Sequence, residues 1–116
     1  MRLINKGMVY MKIVGVAACT AGIAHTYLAK EKLLKAAEEG GHVVKIETQG
    51  TIGTEDELTV NEVLDADVVI IAADISITGK ERFKDKKVIQ IPTHIAMKSP
   101  KALIKKIEDE LNITTE

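Results

Sequence analysis

Four short apolar stretches, separated by longer polar segments, dominate the pattern of hydrophobic positions along the chain. Each has the length of a β-strand, and the four lie at residues 12–17, 42–47, 67–73 and 87–92. The first and third are almost continuously apolar, which is typical of central parallel strands covered on both faces. The second and fourth carry Lys45 and Gln90, which favours edge positions. The pattern therefore predicts four strands in the spatial order 2-1-3-4.

The segments between the strands show the periodicity of amphipathic helices. The first helix is predicted to place its apolar face at Ala24, Tyr27, Leu28, Leu33, Leu34 and Ala37 and to end at Gly40 and Gly41. A second helix should follow Thr59, which forms a T-x-x-E capping box with Glu62. The last helix has Ser99 as its N-cap and Pro100 at its first position. The connection 74–86 fits either a short helix or an irregular crossover.

Strands that alternate with helices, without a two-residue hairpin signal, favour a parallel sheet with right-handed crossovers. The expected fold is a single three-layer α/β/α domain, doubly wound around a four-stranded parallel sheet. This domain is expected to span residues 11–116. Residues 1–10 are expected to be an N-terminal extension or tag-like segment outside the core, with Met11 as a possible true start.

Composition excludes several classes of protein. The net charge is −1, from 16 basic and 17 acidic residues, and aromatic residues make up 3% of the chain. A nucleic-acid binder would normally show a basic excess and stacking aromatic side chains, so no nucleic-acid partner is expected. No apolar run approaches the roughly 18 residues that a membrane-spanning helix needs. The single cysteine cannot form an internal disulfide, which favours a reducing compartment.

The one cysteine, Cys19, lies just after the first predicted strand, in the stretch GVAACTAGIAHTYLAKEKL at residues 15–33. Ligands of doubly wound folds bind beyond the carboxyl ends of the strands. There, the backbone N–H groups of residues 20–25 and the dipole of the following helix would converge on an anion. Gly22 lets the backbone curl, and Thr20 and Thr26 offer hydroxyl donors. The alternative is that Cys19 is a small buried apolar residue.

The three histidines differ in what their positions predict. His25 falls in the first turn of the first helix, where it fits a phosphoryl contact or proton partner as well as a neutral histidine bonded to the backbone. His42 begins the second strand and is expected at the surface. His94 follows the fourth strand, at the same edge of the sheet as Cys19, which makes it a candidate for the rim of the site.

Four segments together resemble a known family. They are CTAGIAHTYLAKEKL from residue 19, VVKIETQGTIGTEDELT at 43–59, ADVVIIAAD at 66–74 and RFKDKKVIQIP at 82–92. In this order they are similar to the fructose-type IIB component of the bacterial sugar phosphotransferase systems. The resemblance implies a flavodoxin-like fold. It also implies a cysteine that accepts a phosphoryl group from a phosphohistidine of the IIA component and passes it to a sugar bound in the membrane component IIC.

Transferred onto this sequence, the resemblance makes Cys19 the nucleophile and phosphocysteine. The phosphate cradle would comprise Thr20, Ala21, Gly22, Ile23, Ala24, His25 and Thr26. Separately, because a partner must reach the sulfur, a partner rim that includes Thr51, Ile52, Asp74 and His94 is expected from their positions in the predicted fold. The family loop commonly reads C-P-T-G, and the Thr20-Ala21 pair here removes a proline and a possible hydroxyl contact. No cofactor or metal is expected, and the resemblance implies a cytoplasmic protein that associates with the inner face of the membrane through IIC.

Two rival functions remain open at this point. Low-molecular-weight tyrosine phosphatases use a similar cysteine loop of the form C-x5-R with an aspartic general acid, for which Asp74 is conceivable. Here, however, His25 stands where the clamping arginine would be. The second rival is a non-enzymatic ligand-binding module. Too few aromatic residues are present to stack a flavin, and no G-x4-G-K-[ST] loop for ATP occurs.

Overall fold

The computed structural model describes residues 2–4, 8–19, 23–50 and 53–110, with seven strands and four α-helices among them. The strands are β1 (Arg2–Ile4), β2 (Met8–Tyr10), β3 (Lys12–Ala18), β4 (Val43–Gly50), β5 (Gly53–Glu55), β6 (Val68–Ala73) and β7 (Val88–Ile91). The helices are α1 (Ile23–Glu39), α2 (Val60–Asp65), α3 (Thr93–Lys98) and α4 (Pro100–Glu110), with a 3-10 helix at Lys80–Phe83.

The central sheet has the strand order β5-β4-β3-β6-β7. Strands β4, β3, β6 and β7 are parallel, whereas β5 pairs antiparallel with β4. The predicted four-stranded sheet was therefore wrong in its number of strands and in its full order, although the four parallel strands are neighbours as expected. The sequence pattern missed β5 because its three residues are all exposed and carry no apolar signal. Strands β1 and β2 form a separate antiparallel pair.

The core consists of two apolar layers, one on each face of the sheet. Successive residues of β3 and β6 point to opposite faces, so Ile13 and Ile70 enter one layer while Val14 and Ile71 enter the other. The first layer lies under α1, α3 and α4, and the second lies under α2 and Phe83 of the 3-10 helix. This arrangement confirms the predicted three-layer α/β/α domain.

The predicted starts of helices α2 and α4 agree with the structure. Thr59 Oγ1 accepts a bond of 3.1 Å from the Glu62 N–H, and Glu62 Oε1 accepts one of 2.8 Å from the Thr59 N–H. The predicted capping box is thus confirmed, and α4 begins at Pro100 as expected. The ambiguous connection contains the 3-10 helix at Lys80–Phe83. Helix α3 was not predicted.

The prediction that His42 lies at the surface was wrong. Only 5% of the residue is exposed, and its Nδ1 accepts a bond of 2.9 Å from the Met11 N–H. Because Nδ1 is thereby an acceptor, Nε2 carries the proton of the neutral ring and donates to Glu108 Oε2 at 2.6 Å. His42 therefore ties the start of the central strand β3 to helix α4.

Candidate functional site

Cys19 follows the last residue of β3, at the carboxyl edge of the parallel sheet. Helix α1 begins four positions later at Ile23, and the predicted cradle residues between them, Thr20, Ala21 and Gly22, lie outside the described residues. Cys19 is buried, with 8% of its surface exposed. The sulfur is thus held close to the sheet edge rather than presented on an open surface.

The Asp74 carboxylate is hydrogen-bonded to the Cys19 sulfur. Asp74 follows β6, the strand that pairs with β3, and its backbone N–H donates to the Ala18 carbonyl at 3.1 Å. This extra ladder bond sets the Asp74 side chain beside the end of β3. The Cys19 Sγ donates to Asp74 Oδ2 at 3.1 Å. The structure thus brings the predicted nucleophile and a predicted rim residue into direct contact.

Thr93, a residue that the sequence reasoning missed, holds the Asp74 carboxylate in place. Its backbone N–H donates to Oδ1 at 3.0 Å and its hydroxyl donates to Oδ2 at 2.7 Å. The bonds from the Thr93 hydroxyl and N–H, followed by that from Cys19 and the charge of exposed His94, lower the pKa of Asp74. The sequence could have predicted Thr93 as a site residue, because it directly follows the fourth strand in the segment PTH and the carboxyl ends of parallel strands lie at one edge of the sheet.

The described part of the predicted cradle is the first turn of α1. Ile23 begins the helix, and Ala24 and His25 are exposed. Thr26 is 3% exposed, and its hydroxyl has no hydrogen-bond partner among the residues that the structure describes. A buried hydroxyl without a partner costs roughly 1–3 kcal/mol. Thr26 lies in the first turn of α1, where the backbone N–H groups have no partner within the helix.

The β4–β5 hairpin packs beside this helix. Tyr27 donates its hydroxyl proton to Glu55, and Lys30 forms an ion pair with Asp56. The bond to Glu55 raises the pKa of Tyr27, and the bond to Lys30 lowers the pKa of Asp56. The predicted rim residues Thr51 and Ile52 lie outside the described residues, but the strands on either side of them bring this hairpin next to α1.

A second polar cluster joins two segments of the family resemblance. Glu47, from ETQG, is bound through both carboxylate oxygens by the guanidinium of Arg82, at 2.8 and 2.7 Å. Gln49 Nε2 and the Leu58 N–H donate to the same carboxylate. Arg82 also lies over the Phe83 ring, 4.7 Å from its centroid. Arg82 is thus engaged with Glu47 and does not serve as an arginine clamp on Cys19.

Two kinds of feature were not found among the described residues: a metal-binding group and a membrane-spanning helix. Among the residues that the structure describes, no group of three or more His, Cys, Asp and Glu side chains is placed to hold a metal ion. None of the helices in the described ranges is both long and apolar enough to cross a bilayer.

The chain is similar to known proteins along most of its length. A family model described as the lactose/cellobiose-specific IIB subunit of the PTS system matches residues 14–106. The "PTS system fructose-like EIIB component 2" of Escherichia coli K12 is 47% identical over 100 residues, covering 86% of this chain and 94% of the relative. The "PTS system fructose-specific EIIABC component" of Bacillus subtilis is 43% identical over 95 residues, which are 82% of this chain and 15% of that protein.

Solved structures agree with this fold. The enzyme IIB subunit of the PTS system from Escherichia coli K12 has a TM-score of 0.84 at 35% identity, covering 90% of this chain and 96% of that one. A domain of the fructose-specific IIABC component of Borrelia burgdorferi has a TM-score of 0.79 at 36% identity, covering 93% of this chain and all of that domain (100%). With the cysteine edge, the family match and these neighbours in agreement, the chain belongs to the IIB family of the sugar phosphotransferase system.

Proposed function

We propose that this chain is a phosphoryl carrier of fructose type, in which Cys19 accepts a phosphoryl group from a phosphohistidine of a IIA component. Cys19 then passes the group to fructose or a fructose-like sugar bound in a membrane IIC component. The role in sugar phosphotransfer follows from the family, while the cysteine chemistry and the order of partners are the proposal. The observation that carries it is the position of Cys19, at the end of the central strand and before helix α1.

Although the Asp74 carboxylate lies beside the sulfur, the start of helix α1 would favour a phosphoryl anion on Cys19. Helix α1 begins close in sequence, and the first N–H groups of a helix have no partner within it and carry partial positive charge. The buried Thr26 hydroxyl adds a donor with no partner among the described residues. Hydrogen bonds to a charged group are worth roughly 1.5–3 kcal/mol each, so two or three such donors suffice to hold a dianionic phosphoryl group. The catalytic work of such a site is to position and stabilise the group in transit.

The phosphatase alternative finds less support. A cysteine phosphatase holds its phosphate with a bidentate arginine, whereas Arg82 binds Glu47 and His25 occupies the matching loop position. Without that clamp, hydrolysis of the thiophosphate should be slow, which suits a carrier. Brisk turnover of p-nitrophenyl phosphate would favour the phosphatase.

Partners and location are proposed by likeness to the relatives. The Bacillus subtilis relative is named as an EIIABC component, which places A, B and C components in a single protein. By likeness, this chain would bind a IIA donor and a IIC acceptor in turn, in the cytoplasm at the inner face of the membrane. Docking at the sheet edge near Asp74 and His94 would bring either partner to the sulfur.

Intact-mass spectrometry with phosphoenolpyruvate, the upstream phosphocarriers and a IIA component tests the proposal. The wild-type chain should gain one phosphoryl group, and Cys19→Ser should gain none because a hydroxyl at this site is a far weaker nucleophile than a thiolate. Ala102→Ser, an exposed substitution on α4 away from the site, is the control and should gain one phosphoryl group like wild type. A Cys19→Ser chain that still carries phosphate on a histidine would refute the assignment.

A further inference from the structure

The hydrogen bond of the Cys19 thiol to a carboxylate calls for a chemical explanation. A thiol must lose its proton before its sulfur can bond to phosphorus, and Asp74 Oδ2 accepts that proton's hydrogen bond at 3.1 Å. We propose that Asp74 is a catalytic residue that accepts the Cys19 proton during phosphoryl transfer. This role rests on the phosphocysteine function proposed above and deepens it.

The carboxylate is fixed in the orientation that the transfer needs. Thr93 donates to both oxygens, through its N–H to Oδ1 and through its hydroxyl to Oδ2, and the Asp74 N–H is bonded to Ala18. Oδ2 therefore stays beside the sulfur without free rotation. The titratable groups that act on Asp74 are Cys19, at the end of β3, and His94, at the start of α3. Thr93 is neutral and serves to position the carboxylate.

The step balances as follows. The thiol proton moves to Asp74 Oδ2 while the electron pair of the S–H bond forms the new S–P bond. The P–N bond of the phosphohistidine breaks, and the imidazole leaves with that bonding pair. The proton then passes from Asp74 to the ring nitrogen that has lost the phosphoryl group. The products are phosphocysteine, a neutral histidine on the partner and an ionised Asp74.

A carboxylate with a lowered pKa is a weak base, and a weak base suffices here. The sulfur loses electron density as the S–P bond forms, so the thiol becomes far more acidic near the transition state than in the resting protein. The protonated carboxyl is then a strong acid that readily protonates an imidazole. The alternative is that Asp74 only closes the strand end through Thr93. A structural role of that kind predicts no change in the pH profile of phosphoryl transfer when the carboxylate is replaced.

The experiment measures the rate of phosphorylation of Cys19 by a phosphorylated IIA protein in a single turnover, by rapid quench and intact-mass analysis from pH 6 to 8. Wild type is compared with Asp74→Asn, and Asp109→Asn serves as a control on the exposed face of α4. Should Asp74→Asn fail to fold, as judged by circular dichroism, Asp74→Ser gives the same comparison. The ratio of wild-type to variant rates is used because any pH dependence of the donor protein affects both chains equally.

We expect Asp74→Asn to be slower by about 100-fold at pH 7, the usual scale of a single proton-transfer residue. The ratio should fall as the pH rises, because the variant relies on hydroxide from solution to take the thiol proton, whereas wild type uses Asp74. Asp109→Asn should match wild type. Equal rates, a faster variant or a deficit that is constant with pH would each overturn the proposal. A wild-type chain that takes no phosphoryl group on Cys19 would instead refute the carrier function itself.

Discussion

Replacing Arg82 by methionine would leave the Glu47 carboxylate buried without its cation. Glu47 is 1% exposed, and the guanidinium binds both its oxygens, Nη1 to Oε1 at 2.8 Å and Nη2 to Oε2 at 2.7 Å. After the substitution, Glu47 would keep the bonds from the Leu58 N–H at 3.0 Å and from Gln49 Nε2 at 2.8 Å. Methionine preserves much of the apolar stem of Arg82, so the change removes mainly charge and donors.

The expected cost is large for a domain of this size. Removing one partner of a buried ion pair typically costs about 3–5 kcal/mol, because the remaining charge is left uncompensated. The two surviving bonds to Glu47 favour the lower end of that range. Since a small domain has a total stability of about 5–15 kcal/mol, a loss near 3 kcal/mol should lower the Tm by roughly 10 °C or more.

The pKa of Glu47 determines how the stability loss in Arg82→Met should change with pH. Burial raises the pKa of Glu47, but the bonds from Arg82, Gln49 and the Leu58 N–H together outweigh burial and hold the pKa below its usual value. In wild type, this stabilisation is therefore present above the ordinary glutamate pKa of about 4.3 and is lost as the pH falls through the lowered value. In Arg82→Met, burial is no longer offset by a cation, so acidification that protonates Glu47 should relieve the penalty. The difference between the two proteins should narrow from pH 7 to pH 5.

Urea denaturation at pH 7 and pH 5 measures both effects. Lys87→Met is the matched control, because the Lys87–Glu110 pair is 3.8 Å apart with both side chains 41% exposed, and such surface pairs contribute about 1 kcal/mol or less. The double variant Glu47→Gln with Arg82→Met should recover part of the loss. If Arg82→Met costs no more than Lys87→Met, or the same amount at both pH values, the buried-charge reasoning is wrong.

Three further substitutions test other parts of the fold and site. Thr26→Val should raise the free energy of unfolding by about 1 kcal/mol, because it removes a buried hydroxyl without a partner in the described structure. The same substitution should slow phosphorylation of Cys19 several-fold in the mass assay. His42→Leu should lower stability by about 1–3 kcal/mol in urea, because the Met11 N–H loses its acceptor; an unchanged midpoint would contradict this. Gly15→Ala should cost about 1–3 kcal/mol in the same assay, since its Cβ would lie 2.6 Å from the Ile70 carbonyl oxygen.

Apolar periodicity predicted the parallel strands well because burial on both faces leaves a continuous signal. The stretch predicted at 12–17 is the strand Lys12–Ala18, and that at 67–73 is Val68–Ala73. Apolar periodicity did not predict β5, which is wholly exposed, or α3, whose six residues are too few to show a helical period. Short elements are positioned by their tertiary neighbours, which a periodicity in sequence does not report.

The site was predictable in its location but not in its contacts. Strand order alone places Cys19 and the residues after β6 and β7 at one edge, and the sequence reasoning named Asp74 and His94 there. It missed the Thr93 hydroxyl on Asp74 and the capture of Arg82 by Glu47. Both contacts depend on how side chains from segments far apart in the sequence are oriented toward each other. Amphipathic residues such as histidine are also poor indicators of burial from sequence, which explains the error at His42.

Two carboxylates on opposite sides of the central strand β3 have different surroundings, and this difference explains the roles that we assign to them. Glu47 is paired with a permanent cation in a buried site, so its charge is neutralised and it has no proton to exchange at neutral pH. Asp74 is held by the neutral donors of Thr93 and by the Cys19 thiol, and it lies in an exposed residue. It therefore keeps a net negative charge beside a group that must lose a proton. A carboxylate thus stabilises the fold at Glu47, where it is bound to a permanent cation, and is proposed to accept a proton at Asp74, where it is bound to a thiol.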